Sequence, residues 1–438
     1  MKNYDKLLND LAPREFNKKG ILWVVFLVLV IIAGLIAYID QIIKGQEVTH
    51  LRDYMLWGVY ISNFVYFVAT SFVGAIAVAI LRLTGKEWRT PIVRIAEIIT
   101  VAAIIMAGIT IIIDMARPDR LLNLFVHARI QSPITWDVFI IPTFMTVAIL
   151  LLFIPLIPDL ALLKNYFKDK KPKMSKLYGF FAINWKGSAK QKSILAKSIK
   201  IVATLIIPVG IILQTIDAWL FSTTYRVGWD SSSLAPYFIA GAAVAGVGAL
   251  VAVIYVVRKS LGLEEYITDM HFEKMGRLLA LTCMIYLYFT INEYFLPLIT
   301  AKKDEALHLE TLFTGHYATL FWIVTIGGLV LPITILLFKN GRKPKAMFII
   351  SLVVVVTSWW KRFIIVTPTL LHPFLPIQGV PESWHEYYPS FHEWIITFAT
   401  LAMALLIITL LVRYLPVIPI QRTADEQEAN ENKSNVVS

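Results

Sequence analysis

Acidic side chains within long apolar runs are the residues in this sequence best suited to chemistry. Asp114 ends one such run, and Asp137 lies shortly after Ser132 and Pro133, which are typical of the N-cap and first turn of a helix. A carboxyl group about one turn inside a membrane needs a partner or a proton, because hydrocarbon does not solvate its charge. We therefore predict that Asp137 and Asp114 are catalytic residues that accept and release protons.

Hydrogen-bonding and aromatic side chains accompany these two acids. Three polar residues of the second apolar run are three positions apart, so they share one helix face. An arginine follows Asp114 at a spacing that allows an ion pair, and a tryptophan directly precedes Asp137. Apolar walls that carry acids, hydroxyls and an amide suit the ring and carbonyl groups of a quinone. The predicted quinone-binding residues are Tyr60, Asn63, Tyr66, Trp136 and Arg117.

Each of these residues also has a structural interpretation. Trp57, Tyr60 and Trp136 are typical of the aromatic belt at a membrane surface. Arg117 and Arg120 suit contacts with lipid phosphates. Asp114 with Arg117 suits a structural ion pair.

Three further acids lie within apolar runs, away from this group. Glu97 lies one turn into the third run from its predicted inner side, whereas Asp217 and Glu293 lie toward the outer ends of the fifth and seventh runs. Intramembrane acids often form proton relays, so we predict a proton path through these three residues. The alternative for Glu97 is a carboxylate that reaches the inner interface.

These residues must be positioned by membrane-spanning helices. The 438-residue chain is 57% hydrophobic and 16% charged, whereas soluble domains are about 45–50% apolar and about 25% charged. Apolar runs of about 20 residues predict an all-α integral membrane protein with ten transmembrane helices. The predicted spans are Ile21–Ile43, Met55–Leu81, Ile92–Ile113, Ile134–Ile157, Ile199–Phe221, Leu234–Val257, Leu278–Thr300, Tyr317–Phe338, Ala346–Val366 and Trp394–Leu415.

Cationic residues predict how these spans are oriented. With the N-terminus inside, about three quarters of the 41 lysine and arginine residues fall in inner segments, and Lys361 and Arg362 are counted among the outer cations. This bias predicts that both termini are cytoplasmic. It also accounts for most of the net charge of +11, so we predict lipid contacts and no nucleic-acid partner.

The same pattern predicts five segments along the chain. A cytoplasmic N-terminal segment (1–20) precedes spans 1–4 with the candidate quinone site (21–158). A basic cytoplasmic loop (159–198) leads to spans 5–10 (199–415). A disordered cytoplasmic tail (416–438) follows.

The cysteine and histidine content restricts the redox centres that the chain can hold. A single cysteine, Cys283, excludes a disulfide scaffold and an iron–sulfur cluster held by this chain alone. The eight histidines lie in loops or at span ends, whereas a bis-histidine haem needs imidazoles well inside facing helices. We predict no haem, no iron–sulfur cluster and no metal site in this chain.

Several segments between Trp57 and Leu163 resemble the NrfD/polysulfide reductase (PsrC) family of membrane subunits. The resemblance is to its ten-span branch, the DsrP-, Hmc- and Hme-type subunits and those of alternative complex III. It is carried by Asn63-Phe64-Val65-Tyr66 with Gly74 and Ile80-Leu81-Arg82, by Glu87-Trp88-Arg89-Thr90-Pro91-Ile92 with Arg94, Ala96 and Glu97, by Arg117-Pro118, and by Ser132-Pro133-Ile134-Thr135-Trp136-Asp137 with Leu156-Ile157-Pro158-Asp159. The second half resembles the family more loosely, at Tyr288-Phe289, Glu293-Tyr294, Leu331-Pro332, Arg362, Ile365-Val366 and Pro368.

The resemblance implies two four-helix bundles flanked by an extra helix pair, in a prokaryotic cytoplasmic (inner) membrane. It implies a quinone, of the menaquinone type, at the outer end of the first bundle. It also implies docking to an extracytoplasmic ferredoxin-like iron–sulfur subunit, in a complex that can include a cytochrome and further membrane subunits. Phe72 and Asp114 stand where some relatives have histidines, and Ala116 replaces a glycine, so Asp114 and Asp137 would take over the acceptance of protons.

The predicted partner interface is the outer loop Ala116–Pro133, with Arg120, Arg129 and His127. The alternative interface is the loop Thr367–Glu393, which is rich in proline, histidine and aromatic residues.

The predicted function is that of a quinone-reactive membrane subunit of a respiratory oxidoreductase complex, with no redox centre of its own. It would exchange electrons between the quinone pool and the iron–sulfur subunit, with proton translocation as a further option. The alternative is a secondary transporter that uses the intramembrane acids as coupling-ion sites. Against it, no pair of Gly/Pro-broken spans occupies matching positions in two halves of the chain. A third interpretation is a purely structural membrane anchor.

Overall fold

The computed structural model describes residues 2–77, 90–224, 226–300, 302–372, 379, 381, 384, 386–425 and 428. Within these residues the protein is helical and contains no β-strand. The helices are α1 (Lys2–Leu11), α2 (Lys18–Lys44), α3 (Val59–Ser71), α4 (Thr90–Asp114), α5 (Asn123–Val126), α6 (Pro133–Tyr166), α7 (Pro172–Phe181), α8 (Ala189–Ser222), α9 (Leu234–Leu261), α10 (Asp269–Thr300), α11 (Lys303–Phe313), α12 (Ala318–Trp322), a π-helical segment (Ile323–Val330), α13 (Leu331–Leu337), α14 (Pro344–Leu370) and α15 (Phe391–Tyr414).

Ten helical segments in this described part of the chain are long and apolar enough to cross a membrane. They fall where the hydropathy pattern predicts them, so the prediction of an all-α, ten-span protein is confirmed. Several extend beyond the apolar runs. α6 and α8, for example, continue into the segment between spans 4 and 5 as amphipathic helix ends.

The spans form two four-helix bundles and a separate pair. α3, α4, α6 and α8 pack together as the first bundle, and α9, α10, α12 to α13, and α14 pack together as the second. α2 and α15 pack against each other, and α15 also packs against α3 and α4. This is the arrangement that the family resemblance implied.

The centre of the molecule lies where the two bundles meet. Every residue of α3 is buried, whereas α2 exposes apolar side chains on most of its surface, which suits contact with lipid. Small residues allow close approach of helices. A Cβ added to Gly246 of α9 would lie 2.9 Å from the Val73 Cβ, and one added to Gly34 of α2 would lie 2.1 Å from the Ala399 Cβ.

The segments outside the spans are more ordered than the sequence predicts. The segment 159–198 contains the end of α6, all of α7 and the start of α8, which begins with a capping box between Ser188 and Gln191. Ile418 and Ala424 of the predicted tail are buried, so the prediction of disorder is wrong for residues 418–425. These apolar side chains stabilise the fold because they are buried against the inner end of the first bundle.

Residues 45–58, 115–132, 223–224, 226–233, 302–317 and 386–390 lie at one end of the molecule, called the outer end after the predicted orientation. The opposite helix termini, including α7 and residues 416–425, form the inner end.

Candidate functional site

Tyr60 and Asn63 lie at the outer end of α3 and are bound by other helices. The Tyr60 hydroxyl donates to the Gln41 Oε1 of α2 at 2.8 Å. The Asn63 Nδ2 donates to the Thr397 Oγ1 of α15 at 2.9 Å, and its Oδ1 accepts from the Trp359 Nε1 of α14 at 2.7 Å. These hydrogen bonds join the α2–α15 pair and the second bundle to α3. The sequence did not predict the partner residues Gln41, Thr397 and Trp359.

Tyr66 lies further along α3, and its ring centroid is 5.8 Å from that of Phe67. Its side chain is buried in the main apolar core. The three predicted residues of this helix therefore lie at increasing depth from the outer end.

Asp114 is the last residue of α4, and its buried Oδ1 has no hydrogen-bond partner among the residues described. The side chains that interact with it electrostatically include Glu393 and Tyr60. Glu393 is fully buried at the start of α15, where its Oε1 accepts from the Tyr387 hydroxyl at 2.5 Å and its Oε2 accepts from the backbone N–H of His50 and Ser390. Asp114 thus faces a carboxylate whose two oxygens are already bound.

Asp114 and Arg117 do not form the ion pair that their spacing allows. The Arg117 guanidinium instead donates to the Asp119 carboxylate at 3.0 and 2.9 Å, and both side chains are exposed. The helix ends at Asp114, so the three-residue spacing no longer places the two side chains on one face. Because Asp119 is so close, the pKa of the Arg117 side chain is raised and that of the Asp119 carboxyl is lowered.

Asp137 lies in the first turns of α6 and is only 4% exposed. Its Oδ1 has no hydrogen-bond partner within the described part of the chain. The neighbouring Trp136 donates from Nε1 to the Ile130 carbonyl at 2.7 Å, and its ring centroid is 6.0 Å from that of Trp219. Ser132 occupies the N-cap position as predicted, although its side chain makes no capping bond.

The two catalytic candidates belong to different clusters. Asp137 interacts electrostatically with Asp217 of α8, whereas Asp114 interacts with Tyr60 and Glu393 of α3 and α15. Within the described residues, no hydrogen bond joins Asp114 to Asp137. The structure therefore gives two separate acidic positions at the outer end of the first bundle.

Lys361 and Arg362 correct the cation count made from the sequence. They count as outer cations by sequence, but both lie inside α14, where each is 2% exposed. The Lys361 Nζ and the Arg362 Nη1 have no hydrogen-bond partner in the described part of the protein. The sequence signal for them is a pair of adjacent cations inside an apolar run. Burying a charged side chain in a membrane costs free energy, so such residues usually have a functional role.

Glu293 lies near the outer end of α10, where its Oε2 accepts from the Ser233 hydroxyl at 3.1 Å. It lines a cavity of about 30 Å³ together with Asp230, Tyr237, Glu305 and His308. His308 belongs to α11, outside the spans. Burial and the nearby His372 lower the pKa of the His308 imidazole to about 3, so this ring is neutral at physiological pH.

Glu97 lies at the inner end, away from Asp217 and Glu293. It lines a cleft of about 310 Å³ together with Arg94 and Asp159. The Arg94 Nη1 and the Asp159 Oδ2 form a buried ion pair of 2.6 Å, and the Asp159 Oδ1 accepts from the Gln421 N–H at 2.9 Å. Neither this cleft nor the outer cavity is lined by Asp114, Asp137 or Asn63.

The outer loop between α4 and α6 exposes both charged and apolar side chains. Arg120, His127 and Arg129 are exposed, as predicted for an interface. Between them, the apolar side chains of Leu122, Val126 and Ile130 are more than 70% exposed. A surface of this composition suits contact with a protein partner or with the membrane surface.

The alternative interface, Thr367–Glu393, is partly core. Tyr387 and Glu393 are buried, and the backbone carbonyl of Tyr387 accepts from the Tyr317 hydroxyl at 3.1 Å. Parts of this loop lie outside the described residues, namely 373–378, 380, 382–383 and 385. The same holds for Ile80-Leu81-Arg82 and Glu87-Trp88-Arg89, which contribute to the family resemblance.

Side chains that ligate metals do not cluster in the described part of the chain. No group of three or more histidine, cysteine, aspartate or glutamate side chains is placed to hold a metal ion there. Cys283 is buried as a free thiol.

Comparisons with known proteins connect this arrangement to named relatives. The chain is 24% identical over 428 residues, with 94% of each chain covered, to a Halobacterium salinarum protein whose provisional name is that of a dimethyl sulfoxide reductase membrane subunit. It is 23% identical to a selenate reductase subunit of Mesobacillus selenatarsenatis, covering 90% of this chain and 94% of the relative. It is 22% identical to the integral membrane subunit of menaquinone reductase of Nitratidesulfovibrio vulgaris, covering 99% of both.

The family assignment rests on a match over most of the chain. Residues 47–373 match the family described as polysulphide reductase, NrfD. This region extends from the residues before α3 to the end of α14, so it includes both bundles and every predicted site residue. The chain therefore belongs to the NrfD family of polysulphide reductase membrane subunits.

Proposed function

We propose that this chain is the quinone-reactive membrane subunit of a respiratory oxidoreductase complex, exchanging electrons between the quinone pool and an extracytoplasmic iron–sulfur subunit. One observation carries the proposal. Among the residues that the structure describes, Asp114 and Asp137 each keep a buried carboxylate oxygen without a hydrogen-bond partner at the outer end of the first bundle. The names of the relatives, which include a menaquinone reductase subunit, support a quinone of the menaquinone type.

The residues present fit a quinone best at the two carboxyl groups. A bound quinone supplies two-electron, two-proton redox chemistry. Asp137 and Asp114 accept or return those protons at their Oδ1 atoms, because each of these two buried oxygens has no hydrogen-bond donor beside it among the described residues. We therefore assign them the catalytic role.

The other predicted contacts have narrower roles. The Tyr60 hydroxyl already donates to Gln41, so toward a quinone it can only accept a hydrogen bond. Asn63 has one free N–H, since its oxygen and its other N–H are bound to Trp359 and Thr397. Tyr66 and Trp136 supply aromatic surface. Arg117, which is exposed, contributes positive charge to the rim.

The partner docks on the outer loop in this proposal. The exposed residues Arg120, His127 and Arg129 surround an apolar patch, which suits a protein surface with acidic groups around an apolar centre. Docking there brings the partner's iron–sulfur centre close to the end of α4 that carries Asp114. A cytochrome and further membrane subunits complete the proposed complex.

The proposed orientation follows from the same assignment. Both termini lie in the cytoplasm of a prokaryote, and the chain lies in its cytoplasmic membrane. Residues 21–158 hold the quinone site, and residues 199–415 contribute the second bundle and α15.

Binding of a menaquinone analogue to the assembled complex tests this function. We expect stoichiometric binding that inhibits electron transfer between quinone and the iron–sulfur subunit. A complex that retains all its subunits but binds no analogue would contradict the proposal. Uptake of a solute by the chain alone in liposomes would favour the secondary transporter instead.

A further inference from the structure

A row of buried polar side chains continues from Asp137 into the second bundle. Asp217 of α8 is 0% exposed, and within the described residues neither of its carboxylate oxygens has a hydrogen-bond partner. The charged side chains that act on it are Asp137 of α6 and Arg362 of α14. Asp217 therefore lies between the candidate quinone site and the second bundle.

The Arg362 guanidinium lies against α9. Its central carbon is 5.0 Å from the ring centroid of Phe238, and its Nη1 has no partner. A Cβ added to Gly241 would lie 2.7 Å from the Arg362 Nη2 and 2.9 Å from the Tyr286 ring. The bare backbone at Gly241 thus leaves room for the guanidinium and places it beside Tyr286.

Two tyrosines extend the row through the second bundle. The rings of Tyr286 and Tyr237 are stacked with centroids 5.1 Å apart, and their buried hydroxyls lie close enough to interact with each other. Next to them, the Lys361 Nζ lies 4.9 Å from the ring centroid of Tyr294, without a hydrogen-bond partner among the described residues. Arg362 and Lys361 thus place two positive charges along the row.

The row ends at the outer cavity. Tyr237, Tyr294 and Glu293 line this space of about 30 Å³, which is room for one or two water molecules. On its other side are His308, whose Nδ1 is buried without a partner, and the exposed Asp230. The polar row thereby reaches the outer solution.

Unpaired polar atoms of this number are unusual in a protein interior, where ordered water satisfies most of them. We propose that the row is a hydrated proton conduit through the second bundle, which joins the quinone site to the outer solution by way of Asp217, Tyr286, Tyr237 and Glu293. The inference rests on the proposed quinone function and assigns its proton route. Glu97 lies in the separate inner cleft and is not part of the row.

The conduit would carry the two protons that the proposed oxidation of a quinol releases. Oxidation of a quinol breaks two O–H bonds and yields two electrons and two protons. The electrons reduce the iron–sulfur centre of the partner, and Asp137 passes the protons one at a time to Asp217. Arg362 attracts the negative charge that Asp217 regains when the proton moves on to water beside the tyrosines. In the direction of quinone reduction, the same residues carry protons inward.

Turnover, the solvent deuterium isotope effect and quinone-analogue affinity, measured in the assembled complex, test the conduit. Glu293→Gln keeps the size of the side chain and an acceptor for Ser233 but removes the ionisable group. We expect it to lower turnover at least about tenfold, to increase the isotope effect and to leave analogue affinity unchanged. Glu310→Gln, a matched change at an exposed position of α11, should change none of the three.

Two further variants distinguish a loss of proton transfer from a defect in folding. Tyr237→Phe removes only a hydroxyl, and Asp217→Asn changes only the charge, so both should assemble and show the same combination of effects. Wild-type turnover and isotope effect in all three conduit variants would overturn the conduit while leaving the quinone function intact. Failure of the function itself would differ, since the unaltered complex would then bind no analogue.

Discussion

The indole of Trp359 donates a hydrogen bond of 2.7 Å to the amide oxygen of Asn63. The bond joins the second bundle to α3, every residue of which is buried. Since the Asn63 nitrogen also binds Thr397, this amide fastens three helices together. Asn63 is therefore first a positioning residue.

Asn63→Leu should lower the thermal stability of the complex more than Trp359→Phe. The leucine leaves a buried indole N–H and a threonine hydroxyl unpaired, at a cost of about 1–3 kcal/mol each, whereas the phenylalanine leaves only the amide oxygen unpaired. Unfolding in detergent, followed by fluorescence or calorimetry, measures the difference. A large loss of analogue affinity in Asn63→Leu, with none in Trp359→Phe, would instead make Asn63 a direct quinone ligand.

Asp137→Asn should leave the complex assembled but lower quinone turnover about 10²-fold or more, the usual scale for loss of a positioned acid or base. Asp114→Asn should act in the same direction but less severely. Steady-state turnover with a soluble quinol, together with analogue binding, checks both. Glu97→Gln is the matched control, since Glu97 lines the inner cleft, and it should leave analogue binding unchanged. Full activity in both aspartate variants would place the quinone site elsewhere.

The spans and the acidic positions were predictable from sequence because both depend on local patterns. A run of about 20 apolar residues predicts a helix that crosses the membrane. An acid inside such a run is conspicuous because its charge is energetically unfavourable in hydrocarbon. Asp137, Asp217 and Glu293 are accordingly buried where the sequence predicts.

The partners of those acids were not predictable, because they come from distant parts of the chain. Gln41 reaches Tyr60, and the backbone N–H of His50 reaches Glu393, only after distant helices have packed together. Arg117 shows the opposite error. A spacing of three predicts an ion pair with Asp114 only while the helix continues, and here the helix ends.

The inside location of the basic segment 159–198 can be tested by cysteine labelling. Cys283 is buried, so single cysteines can be added to the natural sequence. Ser193→Cys, at an exposed position of α8, should react with an impermeant reagent only from the cytoplasmic side, and Asn123→Cys, exposed on the outer loop, only from the opposite side. The opposite result would place the quinone site on the cytoplasmic face.

Gly241→Ala tests whether the position of Arg362 matters to the reaction. The added Cβ would lie 2.7 Å from the Arg362 Nη2 and 2.9 Å from the Tyr286 ring, so the guanidinium must shift relative to Asp217, on which its charge acts. Because displacing a group by about 1 Å can cost up to about 10²-fold in rate, we expect turnover to fall at least several-fold, with the analogue still bound. Gly108→Ala is the control, since a Cβ there meets no atom within 4 Å, and its turnover should match that of the unaltered complex. Equal turnover in both variants would mean that the guanidinium can shift without consequence, and Arg362 would then be only a structural cation of the second bundle.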